Sequence, residues 1–148
     1  MKINASIVLY NSNPSLIEDI AKTLFMVKNF NHLYLIDNSK SDSLKFLSKK
    51  SKQIIYIFNN KNVGYGAGHN IAIKQTQKND INYHIVINPD IEVSNNTINI
   101  LFSYMEENKS TGLAMPKILN TDGSIQYLCK KIPTPFDLFL RFFTPKRF

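Results

Sequence analysis

Residues 59–70 of the chain read NNKNVGYGAGHN, and residues 83–90 read YHIVINPD. The first stretch follows an apolar run, places glycines at positions 64, 66 and 68, and leads into a helical pattern. Glycine accepts a positive φ and allows close approach to the backbone, and a helix that begins there points free N–H groups at an anion. The second stretch is a short apolar strand that ends in Asp90. Because open α/β sheets bind ligands at the carboxyl ends of their strands, the two stretches predict a nucleotide site with Asp90 as metal ligand.

Apolar strands alternate with helical patterns on both sides of these stretches. The helical pattern after the first strand has Asn13 as a plausible N-cap and Pro14 in its first turn. The alternation indicates βαβ units, hence an α/β fold with a mainly parallel sheet and helices on both faces. Strands are predicted at residues 3–10, 32–37, 54–58 and 83–87, and helices at 14–27, 43–50, 67–77 and 97–107. Past Gly112 two more strands are predicted, at residues 113–119 and 124–128, around a turn at Asp122 and Gly123.

Composition narrows the class of protein. A chain of 148 residues is one domain that can bury its own core. Its net charge of +7 admits anionic partners, but the lysines are scattered and arginine is rare, so nucleic acid is not expected. One cysteine excludes an internal disulfide and fits a reducing compartment. The chain has neither a signal-peptide pattern nor an apolar run of about 20 residues, so we expect a soluble, cytoplasmic protein.

The ordered motifs resemble the family 2 inverting glycosyltransferases, which have the GT-A fold, and most closely their rhamnosyltransferase-like branch, which builds bacterial surface polysaccharides. The resemblance covers nearly the whole chain and rests on residues 8–11, 36–42, 59–73, 87–90, 115–119 and 122–126. It implies a Rossmann-like, nucleotide-sugar-binding GT-A domain at residues 1–129 and an apolar, basic tail at 130–148.

The resemblance also implies roles for particular residues. In such enzymes the strand ends hold the base and ribose of a nucleotide-diphosphate sugar, such as dTDP-rhamnose or a UDP-sugar, and the segment 62–70 lines the donor pocket. Asp90 then holds Mg²⁺ or Mn²⁺ on the diphosphate, at the last position of an Asp-x-Asp motif whose first position is Asn88 here. The donor-binding residues implied are Tyr10, Asn11, Asp37, Asn38, Asn62, Gly64, Gly66, Asn70 and Asn88.

The general base for the acceptor hydroxyl cannot be assigned. Family members continue to an acidic motif that supplies it, whereas the only acid after Pro135 is Asp137, in the apolar run at residues 136–143. The chain is therefore either the donor-binding half of a longer enzyme acting on a glycan or lipid-linked glycan, or a truncated form that binds nucleotide without turnover. The apolar run either packs on protein, self-associates, or lies at the inner face of the membrane.

Plainer interpretations stand beside these. Asp90 could be a turn residue, the glycines only a tight turn, and Asp37 a cap for its loop. His69 is expected to be structural or to face the diphosphate rather than act as a base, and His32 and His84 to be plain strand or surface residues. A nucleotidyltransferase would show a basic, glycine-rich loop after the first strand, which this chain lacks.

Overall fold

The computed structural model describes residues 2–79 and 81–126. The elements, in chain order, are β1 Ile3–Leu9, α1 Pro14–Phe25, β2 Phe30–Asp37, a 3₁₀ helix Lys45–Lys49, β3 Ile54–Phe58, α2 Tyr65–Lys78, β4 Tyr83–Ile87 and α3 Asn95–Glu107. The described residues up to Gly112 form one compact unit, and those from Leu113 onward belong to a second. No helix in the described part of the chain is long and apolar enough to cross a membrane.

The four strands form one parallel sheet in the order β3-β2-β1-β4. The chain first moves outward from β1 through β2 to β3, and then crosses to the opposite side of β1 to add β4. The predicted α/β fold with a parallel sheet is therefore confirmed. The strand order reverses between β1 and β4, and ligands of such sheets bind outside the carboxyl ends of the strands at this switch point.

β1 is the centre of the fold, and all seven of its residues are buried. Successive side chains of a strand point to opposite faces. Residues 3, 5, 7 and 9 join an apolar cluster with buried residues of α1 and α3. Val8, on the other face, packs with Ala72 of α2. Helices therefore cover both faces of the sheet, as predicted.

Two of the helices begin at a capping side chain, and the cap of α1 is the predicted Asn13. Asn13 Oδ1 accepts a hydrogen bond from the Ser15 N–H at 3.0 Å, and Pro14 occupies the first helical position of α1. Ser94 Oγ accepts one from the Thr97 N–H at 3.1 Å at the start of α3. These bonds satisfy N–H groups that a helix start leaves without partners.

The glycine-rich stretch is different from the prediction. α2 begins at Tyr65, two residues earlier than expected, so Gly66 and Gly68 are helical, and only Gly64 among the three has a positive φ, of +86°. A Cβ atom at residue 68 would lie 2.7 Å from Val8 Cγ2. Gly68 therefore lets α2 approach β1 closely, and this packing outweighs the poor helix propensity of glycine.

The strands predicted after Gly112 are wrong for the described residues. Only Leu119 and Ile125 pair there, in a single antiparallel bridge. The predicted turn is present, since the Gly123 N–H donates to the Asn120 carbonyl at 2.9 Å and Gly123 has a φ of +83°. An apolar run becomes a strand only beside a partner strand. The predicted boundary at 129/130, Asp137 and the run 136–143 lie outside the described residues.

Candidate functional site

A cleft of about 360 Å³ lies at the carboxyl ends of the strands, where β1 and β4 adjoin. The residues that line the cleft are Val8, Tyr10, Ser12, Asn38, Asn62, Tyr65, Asn88, Pro89 and Asp90. They include half of the predicted site residues, namely Tyr10, Asn38, Asn62, Asn88 and Asp90. The other predicted residues are not in its lining; these are Asn11, Asp37, Gly64, Gly66 and Asn70.

The loop after β1 forms the first wall of the cleft. Tyr10 is half-exposed, and its N–H donates to Ser12 Oγ at 3.1 Å. Asn11 has a positive φ of +51°, and its N–H donates to Ser39 Oγ at 2.9 Å. The loop after β2 therefore fixes the position of the loop after β1.

Asp37, at the end of β2, is fully buried. Its Oδ1 accepts a hydrogen bond from the Ser39 N–H at 2.8 Å, and its Oδ2 accepts one from the Tyr56 hydroxyl at 2.5 Å. Burial, and then this hydrogen bond, raise the pKa of Tyr56, so Tyr56 stays a donor. Asp37 thus caps its own loop and, through Ser39, supports Asn11; its contact with a nucleotide stays a prediction.

Asparagine side chains shape the segment that leads into α2. Buried Asn38 accepts a hydrogen bond from Asn59 Nδ2 at 2.8 Å and donates one to the Gly64 carbonyl at 3.2 Å. Asn62 Oδ1 accepts one from the Gly64 N–H at 2.9 Å. The segment therefore reaches the start of α2 in a fixed conformation.

The N-terminus of α2 is open to an anion. Gly64 precedes the helix and gives no side-chain cap, and the first turn contains no acidic residue. The N–H groups of a first helical turn have no acceptors inside the helix and carry the positive end of its dipole. Gly66 lies in this exposed turn. The lack of a cap or an acid leaves room for a bound phosphate group.

Asp90 is the only carboxylate in the lining of the described cleft, and its side chain makes neither a hydrogen bond nor an ion pair within the described residues. No group of three or more His, Cys, Asp or Glu residues there could hold a metal ion alone. One exposed carboxylate does suit Mg²⁺ or Mn²⁺ when the oxygens of a bound diphosphate complete the ligand set.

Tyr65, which the sequence did not identify as a site residue, links the start of α2 to the residue that follows β4. Its hydroxyl donates to Asn88 Oδ1 at 2.5 Å, and its ring packs edge-on against His69, with ring centroids 4.4 Å apart. Burial, and then the nearby charge of Asp90, raise the pKa of Tyr65. The one feature of the sequence that could have identified Tyr65 is its position as an aromatic residue between two glycines at a helix start.

A buried polar cluster lies between α2 and the sheet, beneath Tyr65. His69 Nδ1 and His84 Nε2 each lie 2.7 Å from Ser6 Oγ, and His84 Nδ1 lies 2.8 Å from Thr76 Oγ1. His69 Nε2 is buried without a hydrogen-bond partner among the described residues.

Desolvation lowers the pKa of both histidines to about 4, helped at His84 by His69, so both are neutral near pH 7. His84 lies in β4, as a plain strand residue would, but its side chain also contacts Ser6 and Thr76, which the sequence did not predict. His69 is bonded to the sheet, which agrees with a structural role.

Known proteins with a similar sequence or fold agree with this architecture. A family model described as glycosyl transferase family 2 matches residues 6–139. Curated protein sequences give no match. The crystal structure of S. aureus TarS is similar with a TM-score of 0.57 at 18% identity, over 80% of this chain and 24% of TarS. That of TarS 1-349 gives a TM-score of 0.56 at 18% identity, over 79% of this chain and 39% of the other. At this identity the likeness shows the fold, and the chain spans well under half of either structure.

Proposed function

The chain belongs to glycosyl transferase family 2, and we propose that it binds a nucleotide-diphosphate sugar for transfer of the sugar to a bacterial surface glycan. The proposal includes inversion at the anomeric carbon, a rhamnosyltransferase-like specificity for dTDP-rhamnose or a UDP-sugar, and a glycan or lipid-linked glycan as acceptor. The observation that carries it is the unpaired carboxylate of Asp90 in the same cleft as the uncapped start of α2, both within the described residues.

The charges of the cleft favour a diphosphate together with a cation. The positive end of the α2 dipole attracts the phosphates, whereas the Asp90 carboxylate repels them. Mg²⁺ or Mn²⁺ held by Asp90 would offset this repulsion. A cation bound by Asp90 would supply Lewis-acid stabilisation of the charge on the departing diphosphate.

The nucleoside is proposed to bind at the ends of β1 and β2. The half-exposed ring of Tyr10 offers a stacking surface, and Asn11 is held beside it by Ser39. Asp37 belongs to this end through its bond to Ser39. The sugar diphosphate then lies along the start of α2, near residues Asn38, Asn62, Gly64, Gly66, Asn70 and Asn88.

The base that would take the proton of the acceptor hydroxyl lies outside this set. It must reach that hydroxyl directly or through one water, and Asp90 is committed to the cation. His69 is bonded to Ser6 of the sheet rather than open to the cleft. Asp90 is the only carboxylate in the lining of the described cleft, so no second one is left there to act as the base. This supports a second candidate, a nucleotide-sugar-binding protein or subunit without turnover. Sugar transfer to an added acceptor would exclude that candidate.

We further propose that the protein works in the cytoplasm, peripherally at the inner face of the membrane. Lipid-linked acceptors would be reached there. The apolar residues 136–143, with basic residues on either side in the sequence, are the proposed contact.

Titration calorimetry with UDP, dTDP and GDP, each with and without Mn²⁺, tests the proposal. We expect one nucleotide to bind in a Mn²⁺-dependent manner, and Asp90→Ala to weaken this binding about tenfold or more, which is about 1.4 kcal/mol. Asp19→Ala is the matched control, because it removes an exposed carboxylate on α1 that pairs with Lys22 at 2.8 Å. Absence of binding to all three nucleotides, or an equal loss in both variants, would contradict the proposal.

A further inference from the structure

Asn88 is held by one end of its amide. Its Oδ1 accepts the hydrogen bond of the Tyr65 hydroxyl, whereas its Nδ2 makes no hydrogen bond within the described residues. The side chain is exposed and lines the cleft. An asparagine amide has one acceptor oxygen and two N–H donors. The Tyr65 hydroxyl engages one of the two lone pairs of this oxygen and fixes the orientation of the amide, whereas both N–H donors have no partner within the described residues and are the larger part left to a ligand.

We infer that Tyr65 positions Asn88 so that its amide nitrogen, rather than its oxygen, meets an acceptor oxygen on the ribose or diphosphate of the bound nucleotide sugar. This inference rests on the proposed function, and it assigns Tyr65 as a positioning residue of the donor site.

The position of Tyr65 is itself fixed by its contact with buried His69. It is the first residue of α2, and its ring packs edge-on against His69 at an interplanar angle of 72°. His69 is only 3% exposed, and its Nδ1 lies 2.7 Å from Ser6 Oγ of β1. The raised pKa of Tyr65 keeps its proton in place for donation. The hydroxyl that orients Asn88 is thereby tied to the centre of the sheet.

The orientation of Asn88 has a chemical consequence. Two N–H donors beside Asp90 attract a phosphate or hydroxyl oxygen without adding charge. An outward-facing oxygen would instead be a second ligand for the cation beside Asp90. The two orientations therefore predict opposite effects for Asn88→Asp. A carboxylate at residue 88 still accepts the Tyr65 hydrogen bond, but it has no donor for the nucleotide and repels the diphosphate.

The test measures binding of the preferred nucleoside diphosphate with Mn²⁺ to the wild type, Tyr65→Phe, Asn88→Ala, Asn88→Asp and the double variant Tyr65→Phe/Asn88→Ala. We expect each single variant to weaken binding about three- to tenfold. The double variant should bind about as well as Asn88→Ala, because the two changes remove the same interaction. Tyr104→Phe, on an exposed tyrosine of α3, is the matched control and should leave binding unchanged.

Tighter Mn²⁺-dependent binding by Asn88→Asp, or losses that add in the double variant, would overturn the inference. Thermal denaturation checks that the Tyr65→Phe protein is folded, since the phenyl ring still packs on His69. Repeating the cycle with the nucleoside monophosphate locates the acceptor oxygen. Coupling that persists supports a ribose or α-phosphate oxygen, and coupling that is lost supports the β-phosphate. A wild type that binds no nucleotide contradicts the proposed function, whereas normal binding by Tyr65→Phe overturns this inference alone.

Discussion

The two faces of β1 are both buried, but they are built from different chemistry. The face toward α1 and α3 is entirely apolar, and no residue there is more than 2% exposed: Ile3, Ala5, Ile7 and Leu9. The face toward α2 contains Asn4 and Ser6, both fully buried, followed by Val8. Asn4 Nδ2 donates to Thr76 Oγ1 at 3.1 Å, and Ser6 lies between two histidines.

The difference assigns separate tasks to the two faces. Apolar burial stabilises the fold in proportion to area and has little directional preference. A buried polar group is stabilising only when it meets its particular partner, so a polar layer fixes how two elements sit against each other. Because α2 begins at Tyr65 in the cleft, the polar face of β1 sets the position of the helix that lines the candidate site.

Acidification should destabilise the polar face of β1, because His69 and His84 are neutral in the folded protein. Burial lowers the pKa of His69 and His84 to about 4 from the ordinary 6.5, so the unfolded chain takes up protons between these values that the folded protein does not. The contribution of each histidine is full above pH 6.5 and is lost as the pH falls toward 4. We expect the free energy of unfolding to fall by about 2 kcal/mol per histidine between pH 7.5 and pH 5. Denaturant titrations at the two pH values measure it.

The control for this pH dependence is the double variant His69→Gln/His84→Gln. Glutamine does not titrate, so this variant should be less stable at pH 7.5 but should lose much less stability on going to pH 5. Equal unfolding free energies of the wild type at the two pH values would show that the histidines are not held neutral.

Removing a hydroxyl from the polar face of β1, or adding one to its apolar face, should each lower the free energy of unfolding, for different reasons. Ser6→Ala leaves His69 Nδ1 and His84 Nε2 without their shared partner, at a cost of about 1 to 3 kcal/mol. Ala5→Ser places a hydroxyl in the apolar cluster, at a similar cost. Chemical denaturation measures both costs.

Nucleotide binding separates the two variants where stability does not. Under conditions in which both variants are folded, Ser6→Ala should weaken nucleotide binding, because α2 is then held less firmly against β1. Ala5→Ser should bind the nucleotide as the wild type does. A Ser6→Ala protein of unchanged stability, or equal binding by the two variants, would remove the proposed division of tasks.

Local sequence patterns were enough to predict the four strands of the sheet and part of the candidate site, but not the region after Gly112. β3 and β4 were placed at their observed residues, because short apolar runs between turn residues mark buried strands. Asp90 was expected in a site because parallel sheets bind ligands at the carboxyl ends of their strands, whereas Tyr10 was implied by the family resemblance; both line the cleft. The start of α2 was misplaced because glycine disfavours a helix unless close packing requires it, as at Gly68.

Partners far apart in the chain could not be predicted. Ser6 and His69 are 63 residues apart, and Tyr65 and Asn88 are 23 residues apart. A single sequence shows which polar residues are present but not which of them meet. The roles of Tyr65, His84 and Tyr56 therefore emerged only from the fold.

The two helical glycines of α2 give the smallest test of the comparison. A Cβ at residue 66 meets nothing within 4 Å, so Gly66→Ala should stabilise the helix by about 0.5 to 1 kcal/mol. At residue 68 the same gain is opposed by the contact with Val8 at 2.7 Å, and overpacking costs about 1 to 3 kcal/mol. Gly68→Ala should therefore be net destabilising by about 1 kcal/mol in thermal or chemical denaturation. Val8→Ala should relieve the clash, so the double variant should be more stable than the sum of the single changes predicts. If Gly68→Ala were as stable as Gly66→Ala, the position of α2 on β1 would depend on the polar layer alone and not on close packing at Gly68.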